Sequence, residues 1–167
     1  MLALLPLAGC VVEGTLDPSG GGRLRLRYRL VTIADFEPGK ARLQSRDVSL
    51  IGASMTPDKW ATYEVKTADI RTLPSVPSLA ATSVSLADEP DGTRTLVVTV
   101  ASLPKTLPAQ YFTYLGREFR LTLELPGDAV RSNATTTAGR TVTWTRPLGD
   151  LTQDASVQFS VTYRPAA

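Results

Sequence analysis

Histidine is absent from the 167-residue sequence, and the chain has a single cysteine, Cys10. The lack of histidine excludes serine–histidine and cysteine–histidine nucleophile systems, HExxH zinc sites and proton transfer by imidazole. A lone cysteine excludes an internal disulfide and zinc knuckles built from paired cysteines. Eighteen Lys and Arg residues against sixteen Asp and Glu leave a formal charge of +2, too small to indicate nucleic-acid binding by bulk electrostatics. We therefore expect no nucleic-acid partner, no metal and no cofactor.

The acidic residues form no recognisable catalytic pattern. Most lie in turn contexts beside Pro or Gly, where Asp stabilises the turn itself. Glycoside hydrolysis needs two carboxyl groups that face each other across a cleft, and calcium needs a DxDxDG-like run. The acidic segment 88–92 matches the calcium pattern only in its acidity. We expect that this protein is not an enzyme.

Long apolar runs are also missing, since no segment after Cys10 approaches the roughly twenty apolar residues of a membrane helix. The first ten residues are nevertheless distinctive, because an apolar run ends in Leu-Ala-Gly-Cys. This ending resembles a bacterial lipobox, in which the cysteine thiol receives a diacylglyceryl group and the chain is cut before it. We interpret residues 1–9 as a truncated lipoprotein signal peptide, because a complete one has a positive start and a longer apolar stretch. Residues 10–167 are then a single envelope domain, anchored through acylated Cys10 to the extracytoplasmic face of a membrane.

An alternative interpretation of this segment treats it as part of the fold. The first residues would form a buried strand, and Cys10 would be a small core residue. We favour the signal peptide, because Pro6 and the Ala-Gly-Cys ending suit a strand poorly.

After Cys10, apolar and polar residues alternate with a period of two, which is typical of half-buried β-strands. The predicted strands cover residues 11–16, 23–30, 48–55, 60–66, 83–87, 93–100, 118–125, 140–145 and 156–163. Helical patterns are confined to residues 38–46 and to residues 68–73, with Thr67 as a candidate N-cap. The pattern predicts an α+β fold, a mostly antiparallel sheet with one or two short helices on a face. An all-β sandwich is the alternative.

Three segments carry a resemblance to a known family. Tyr-Glu-Val-Lys at 63–66 leads into residues 69–74, a strand at 119–125 ends in Pro126-Gly127, and Thr-Val-Thr-Trp follows at 141–144. With the lipobox at Cys10, the chain resembles the LppM-like group of bacterial envelope lipoproteins. The resemblance implies an envelope domain that binds membrane glycolipids.

Four arginines on one face of the second strand are the first candidate ligand contact. Same-face residues of a strand lie about 7 Å apart, so these four would form a stripe of about 20 Å that could bind anionic lipid head groups. The alternative, which we favour, is that they pair with carboxylates on neighbouring strands. The arginines are Arg23, Arg25, Arg27 and Arg29, and the candidate carboxylates are Glu13, Glu118 and Glu124.

The second candidate is the segment 103–116, which contains Tyr111, Phe112 and Tyr114 between two prolines and a glycine. Long apolar loops are uncommon unless they bind something or pack as a flap. We hypothesise a lid over an apolar cavity, and a loop packed on the core is an equal alternative.

The sequence therefore predicts a non-catalytic, membrane-anchored lipoprotein domain that binds lipid or glycolipid in the cell envelope. The alternative is a structural or assembly module that holds a protein partner at the membrane, for instance through a sheet edge. The sequence does not identify that protein partner.

Overall fold

The structure, a computed structural model, describes residues 10–101, 118–150 and 156–166. In chain order the strands are β1 (Val11–Leu16), β2 (Gly22–Arg29), β3 (Val48–Met55), β4 (Trp60–Thr67), β5 (Thr82–Asp88), β6 (Arg94–Ala101), β7 (Glu118–Glu124), β8 (Gly127–Ser132), β9 (Thr136–Ala138), β10 (Thr141–Pro147) and β11 (Ser156–Pro165). A short helix, α1 (Phe36–Ala41), and 3-10 turns at Ile33–Asp35, Ile70–Ser75 and Pro77–Leu79 connect them.

Within these residues the strands form two sheets. The large sheet has the order β3-β4-β2-β1-β7-β10-β9, and the small sheet has the order β5-β6-β11-β8. Every neighbouring pair is antiparallel except β1 and β7, which run parallel. The α+β prediction is confirmed, with β-structure dominant and a single short α-helix among the described residues.

The two sheets pack face to face and enclose the core. Trp144 of β10 lies opposite Leu121 of β7 and is 1% exposed. Its ring meets Phe159 of the small sheet edge-on at 5.8 Å, and its Nε1 donates a hydrogen bond of 2.7 Å to Asn133 Oδ1. Phe119 of β7 also contacts Phe159, at a centroid distance of 5.6 Å. β7 and β10 therefore contribute adjacent aromatic and aliphatic side chains to the core.

Some local predictions need correction. The helix expected at 38–46 is α1, which begins at Phe36 and ends at Ala41, while the segment expected at 68–73 is the 3-10 turn Ile70–Ser75. That turn is capped by Asp69, whose carboxylate accepts a 2.9 Å hydrogen bond from the backbone N–H of Arg71. The predicted cap Thr67 instead donates its hydroxyl to the carbonyl of Asp69 at 2.8 Å.

Two strands of the structure, β8 and β9, were not predicted from the sequence. β8 follows Pro126 through Gly127 and Asp128, residues that are typical of a turn. β9 has only three residues and none of them is buried, so it has no inward-facing apolar side chain to reveal it.

Candidate functional site

An apolar cavity of about 180 Å³ lies between the two sheets. The large sheet contributes inward-facing side chains such as Val12, Leu24 and Leu121, and the small sheet contributes Val84 and Val98. Strand pairing fixes this arrangement, because Val84 lies opposite Val98 on β5 and β6 and both point towards the large sheet. The cavity therefore occupies the position that core side chains would fill in a tightly packed sandwich.

Some of the side chains around this space are not fully buried although they point inwards. Val12, Leu24, Val84, Val98 and Val100 are each half-buried, whereas Val142 and Trp144, further along the same core, have 1% exposure or less. Apolar side chains that keep accessible surface inside a domain can bury it against an added apolar molecule. The packing thus changes from tight around Trp144 to open around Val98.

Gly14 of β1 helps to shape the large-sheet wall. A Cβ atom at this position would lie 2.5 Å from Leu24 Cδ2 and 2.7 Å from Leu123 Cδ2, which is closer than carbon atoms can approach. Since glycine has no side chain, the two leucines lean over β1 from the neighbouring strands. Both leucines contribute to the cavity wall.

Short irregular segments complete the wall on the side of β5. Ile70 and Leu73 come from one 3-10 turn and Leu79 from the next, and all three line the cavity. Thr82, also in the wall, donates its hydroxyl to the carbonyl of Leu79 at 2.7 Å, so this polar group is already satisfied. The side of the cavity near β5 is therefore lined by hydrocarbon.

Cys10 lies in the same wall and is 1% exposed. Burial raises the pKa of its thiol to about 12, because the charged thiolate would lose its hydration in an apolar environment. The thiol is thus protonated in the folded domain at neutral pH and is a poor nucleophile there. Burial of Cys10 agrees with the alternative interpretation that it is a core residue, and its lipidation stays a prediction.

The described part of the wall contains no carboxylate. Its titratable residues are Cys10 and Arg23, and the Arg23 side chain lies on the outer face of β2, since Leu24 and Leu26 face inwards. General acid–base chemistry needs a group that can exchange a proton near neutral pH. The described wall offers a surface for binding.

The predicted aromatic contacts Tyr111, Phe112 and Tyr114 lie outside the described residues. Ala101, the last residue of β6, and Phe119, near the start of β7, both line the cavity. The segment that joins β6 to β7 therefore leaves and re-enters the described structure at the cavity wall. The hypothesis that its aromatic residues contact a ligand stays a prediction.

The four arginines of β2 alternate with inward-facing leucines and lie on the outer face of the large sheet, although Arg23 also borders the cavity. Arg25 Nε donates a 2.9 Å hydrogen bond to Glu64 of β4, and Arg25 also lies 3.8 Å from Glu13 of β1. The Arg27 guanidinium lies 5.1 Å above the Trp60 ring. The predicted pairing with carboxylates thus holds for Arg25 and Glu13.

The two other predicted carboxylates need correction. Glu118 lies 3.7 Å from Arg120 of its own strand, and Glu124 takes part in no recorded ion pair among the described residues. In the large sheet β1 lies between β2 and β7, so the carboxylates of β7 are too far from the arginines of β2. Glu64, the actual partner, belongs to β4 on the other side of β2.

Two negative observations complete the description. The described ranges contain no group of three or more Asp, Glu, Cys and His side chains that could hold a metal ion. No helix in the described part of the chain is both long enough and apolar enough to cross a bilayer.

Comparison with known proteins gives a structural match but no sequence match. No family model matches the chain, and no curated protein matches its sequence. The fold is similar to the NMR structure of the folded domain of the Mycobacterium tuberculosis LppM protein, with a TM-score of 0.63 and 13% sequence identity. The match covers 95% of this chain and 90% of the LppM domain. The resemblance to LppM-like lipoproteins is therefore supported at the level of the fold, which this chain shares with the LppM folded domain.

Proposed function

We propose that this protein is a non-catalytic domain of the bacterial cell envelope that binds the acyl chain of a lipid or glycolipid between its two sheets. The observation that carries the proposal is the 180 Å³ cavity, whose aliphatic wall includes several half-buried side chains. The shared fold with the LppM folded domain agrees with an envelope lipoprotein. The carboxylate-free wall described above agrees with binding without catalysis.

The size of the cavity limits what part of a lipid it takes. Sites for whole drug-sized ligands have volumes of about 300–1,000 Å³, whereas an engineered apolar cavity of about 150 Å³ binds benzene. A cavity of 180 Å³ therefore fits the end of one acyl chain. A sugar or phosphate head group would have to stay outside, because the wall is almost entirely apolar and burial of a polar group against it would cost free energy.

Filling the cavity by mutation tests the proposal. Val98 faces the cavity, while its neighbour Val97 lies on the other face of β6. Val98→Trp therefore places an indole ring in the cavity, and the control Val97→Trp places the same ring on the opposite face of the sheet. We expect the parent protein and the control, purified from a bacterial membrane, to retain lipid in native mass spectrometry, and Val98→Trp to lose it. Retention of equal lipid by Val98→Trp in a folded protein would contradict the cavity as the binding site. A protein without lipid that cross-links to a protein partner would support the assembly module instead.

Anchoring through Cys10 is a separate part of the proposal. Its sequence context is that of a lipid acceptor, and the thiol is the only one in the chain. We expect the parent, expressed with a complete signal peptide, to carry a metabolically labelled acyl group and Cys10→Ser to lack it. Serine is nearly isosteric with cysteine, so equal thermal midpoints of the parent and Cys10→Ser would show that the substitution leaves the fold intact. Absence of the labelled acyl group from the parent, or its retention by Cys10→Ser, would overturn the anchor without affecting the cavity.

A further inference from the structure

The outer face of the large sheet differs between its two ends. Strand pairing aligns Arg23 of β2 with Lys66 of β4 at one end, Arg25 with Glu64 in the middle, and Arg29 with Trp60 at the other end. The middle is neutralised, because Arg25 contacts both Glu64 and Glu13. The continuous arginine stripe that the sequence suggests is thus divided into two separate cationic regions.

The region around Trp60 has the more varied chemistry, and we call it the cationic end; it consists of Arg27, Arg29, Ile33, Lys59 and Trp60. Arg27 lies above the Trp60 ring at 5.1 Å, and Arg29 is the cross-strand neighbour of Trp60. Lys59 Nζ donates a 3.1 Å hydrogen bond to the carbonyl of Val31, which brings the lysine beside the chain that follows β2. Two residues further on, Ile33 is 60% exposed.

Opposing charge at the cationic end is limited. Asp58 adjoins Lys59, and the field of Arg29 and Arg27 contributes to lowering its pKa, although the hydrogen bond from Thr56 is the main cause. Asp35 belongs to the same 3-10 turn as Ile33, so three cations against two carboxylates leave a local charge of about +1 at neutral pH. The nearest acid on β7, Glu118, is balanced by Arg120 at 3.7 Å. The region keeps a net positive charge beside an exposed apolar side chain.

The chain start lies at this same end of the sheet. Val11 is the cross-strand partner of Arg27 on one side and of Arg120 on the other, so Cys10 lies one residue beyond this row. The opposite end of β1, at Leu16, pairs with Gly22 near Arg23 and Lys66. An attachment at Cys10 would therefore bring the cationic end, and not the Arg23 end, towards the membrane.

We propose that the cationic end is a docking surface for an anionic lipid bilayer. Guanidinium groups bind lipid phosphates through paired hydrogen bonds, Trp is favoured at the boundary between head groups and acyl chains, and an exposed Ile adds apolar contact. This surface would orient the domain on the membrane, and it functions independently of the cavity. The charge of the bilayer is the feature it recognises.

Vesicle binding by the full chain produced without acylation tests the surface. Each cation near an anionic membrane contributes about fivefold to partitioning, so Arg27→Gln/Arg29→Gln should bind vesicles with about 30% phosphatidylglycerol in phosphatidylcholine roughly 30-fold more weakly than the parent. The control Arg23→Gln/Lys66→Gln removes the same two charges from the same face of the same strands. We expect the control to bind within a few-fold of the parent, and phosphatidylcholine alone to bind all three proteins weakly. The apolar residues 1–9 are common to all variants, so their contribution cancels.

Tryptophan fluorescence provides a second readout. The chain has two tryptophans, and Trp144 is 1% exposed, so a blue shift on adding anionic vesicles should come from Trp60. Trp60→Phe should abolish that shift while keeping the fold. Equal loss of binding in both charge pairs, or parental binding by Arg27→Gln/Arg29→Gln, would overturn the proposal. A vesicle-induced shift that persists in Trp60→Phe would overturn it as well.

Discussion

The length of the bound hydrocarbon chain gives the sharpest test of the cavity. Its volume of about 180 Å³ exceeds the roughly 150 Å³ that admits a six-carbon benzene ring, so we expect space for about six to eight carbons. Each methylene transferred from water contributes about 0.8 kcal/mol, which corresponds to roughly a fourfold gain in affinity. Affinity should rise at that rate with chain length and then level off once the cavity is full.

The plateau has an independent estimate. Void space in a protein core costs about 24 cal/mol per Å³, so an empty cavity of 180 Å³ destabilises the fold by about 4 kcal/mol compared with a filled one. Five or six methylene groups at about 0.8 kcal/mol each recover a similar free energy. The two estimates therefore overlap at a chain length of about six carbons, where the gain should stop.

The assay uses single-chain phospholipids of about four to about twelve carbons below their critical micelle concentrations, and it measures displacement of an environment-sensitive fluorescent fatty acid. Val98→Trp should move the plateau to shorter chains, while Val97→Trp should leave it unchanged. An affinity that does not depend on chain length would refute the cavity as the acyl site. A rise that continues unchanged to the longest chain in both variants would show that the chain binds elsewhere.

Three further predictions concern the rest of the fold. Trp144→Ala should lower the free energy of unfolding by about 3–5 kcal/mol in urea titration, because it removes the contact with Phe159 and leaves a void; an unchanged midpoint would disprove the core assignment. In protein produced without acylation, a thiol reagent at pH 8 should label Cys10 only after unfolding in urea, since burial shields the thiol and raises its pKa; rapid labelling of the folded protein would contradict its position in the wall. Arg71 holds the pKa of the Asp69 carboxylate below its ordinary value, so this pair should stabilise the fold above about pH 4 and cease to do so as the pH falls through the folded-state pKa. In Asp69→Asn the part of the acid-induced decrease in thermal midpoint that this pair causes should be absent. If the thermal midpoints of Asp69→Asn and the parent depended on pH in the same way, the assignment would be refuted.

Much of the fold follows from local alternation. The run from Arg23 to Leu30 alternates without interruption, and the structure places its leucines in the core and its arginines outside, as the period of two requires. β8 and β9 could not be found in this way. β8 begins with residues that are typical of a turn, and β9 has no buried side chain. The 3-10 turn after Asp69 could not be distinguished from an α-helix, since both begin with the same capping chemistry.

The hypothesis of a lid suggested an apolar cavity, but the position and size of the cavity could not be predicted from the sequence. Alternation identifies Val12, Leu24 and Val98 as inward-facing, but it carries no information about how far apart the two sheets lie at each position. The open region depends on side chains from both sheets and from two 3-10 turns, which the chain brings together from distant positions. Gly14 was the available local signal, because a glycine in the middle of a strand often marks an unusually close approach of its neighbours.

The arginine stripe shows why the register of a sheet decides what a local pattern can do. Four arginines at alternate positions look equivalent in the sequence, yet Glu64 lies 39 residues away from Arg25 and neutralises that arginine alone. Arg29 has Trp60 at the corresponding position of β4, and Arg23 has Lys66. The chemistry at each end of β2 is therefore set by the residue that β4 places beside it. This pairing gives one end of β2 a tryptophan beside two arginines and gives the other end two adjacent cations. An experiment that replaced all four arginines together would therefore not distinguish the two ends.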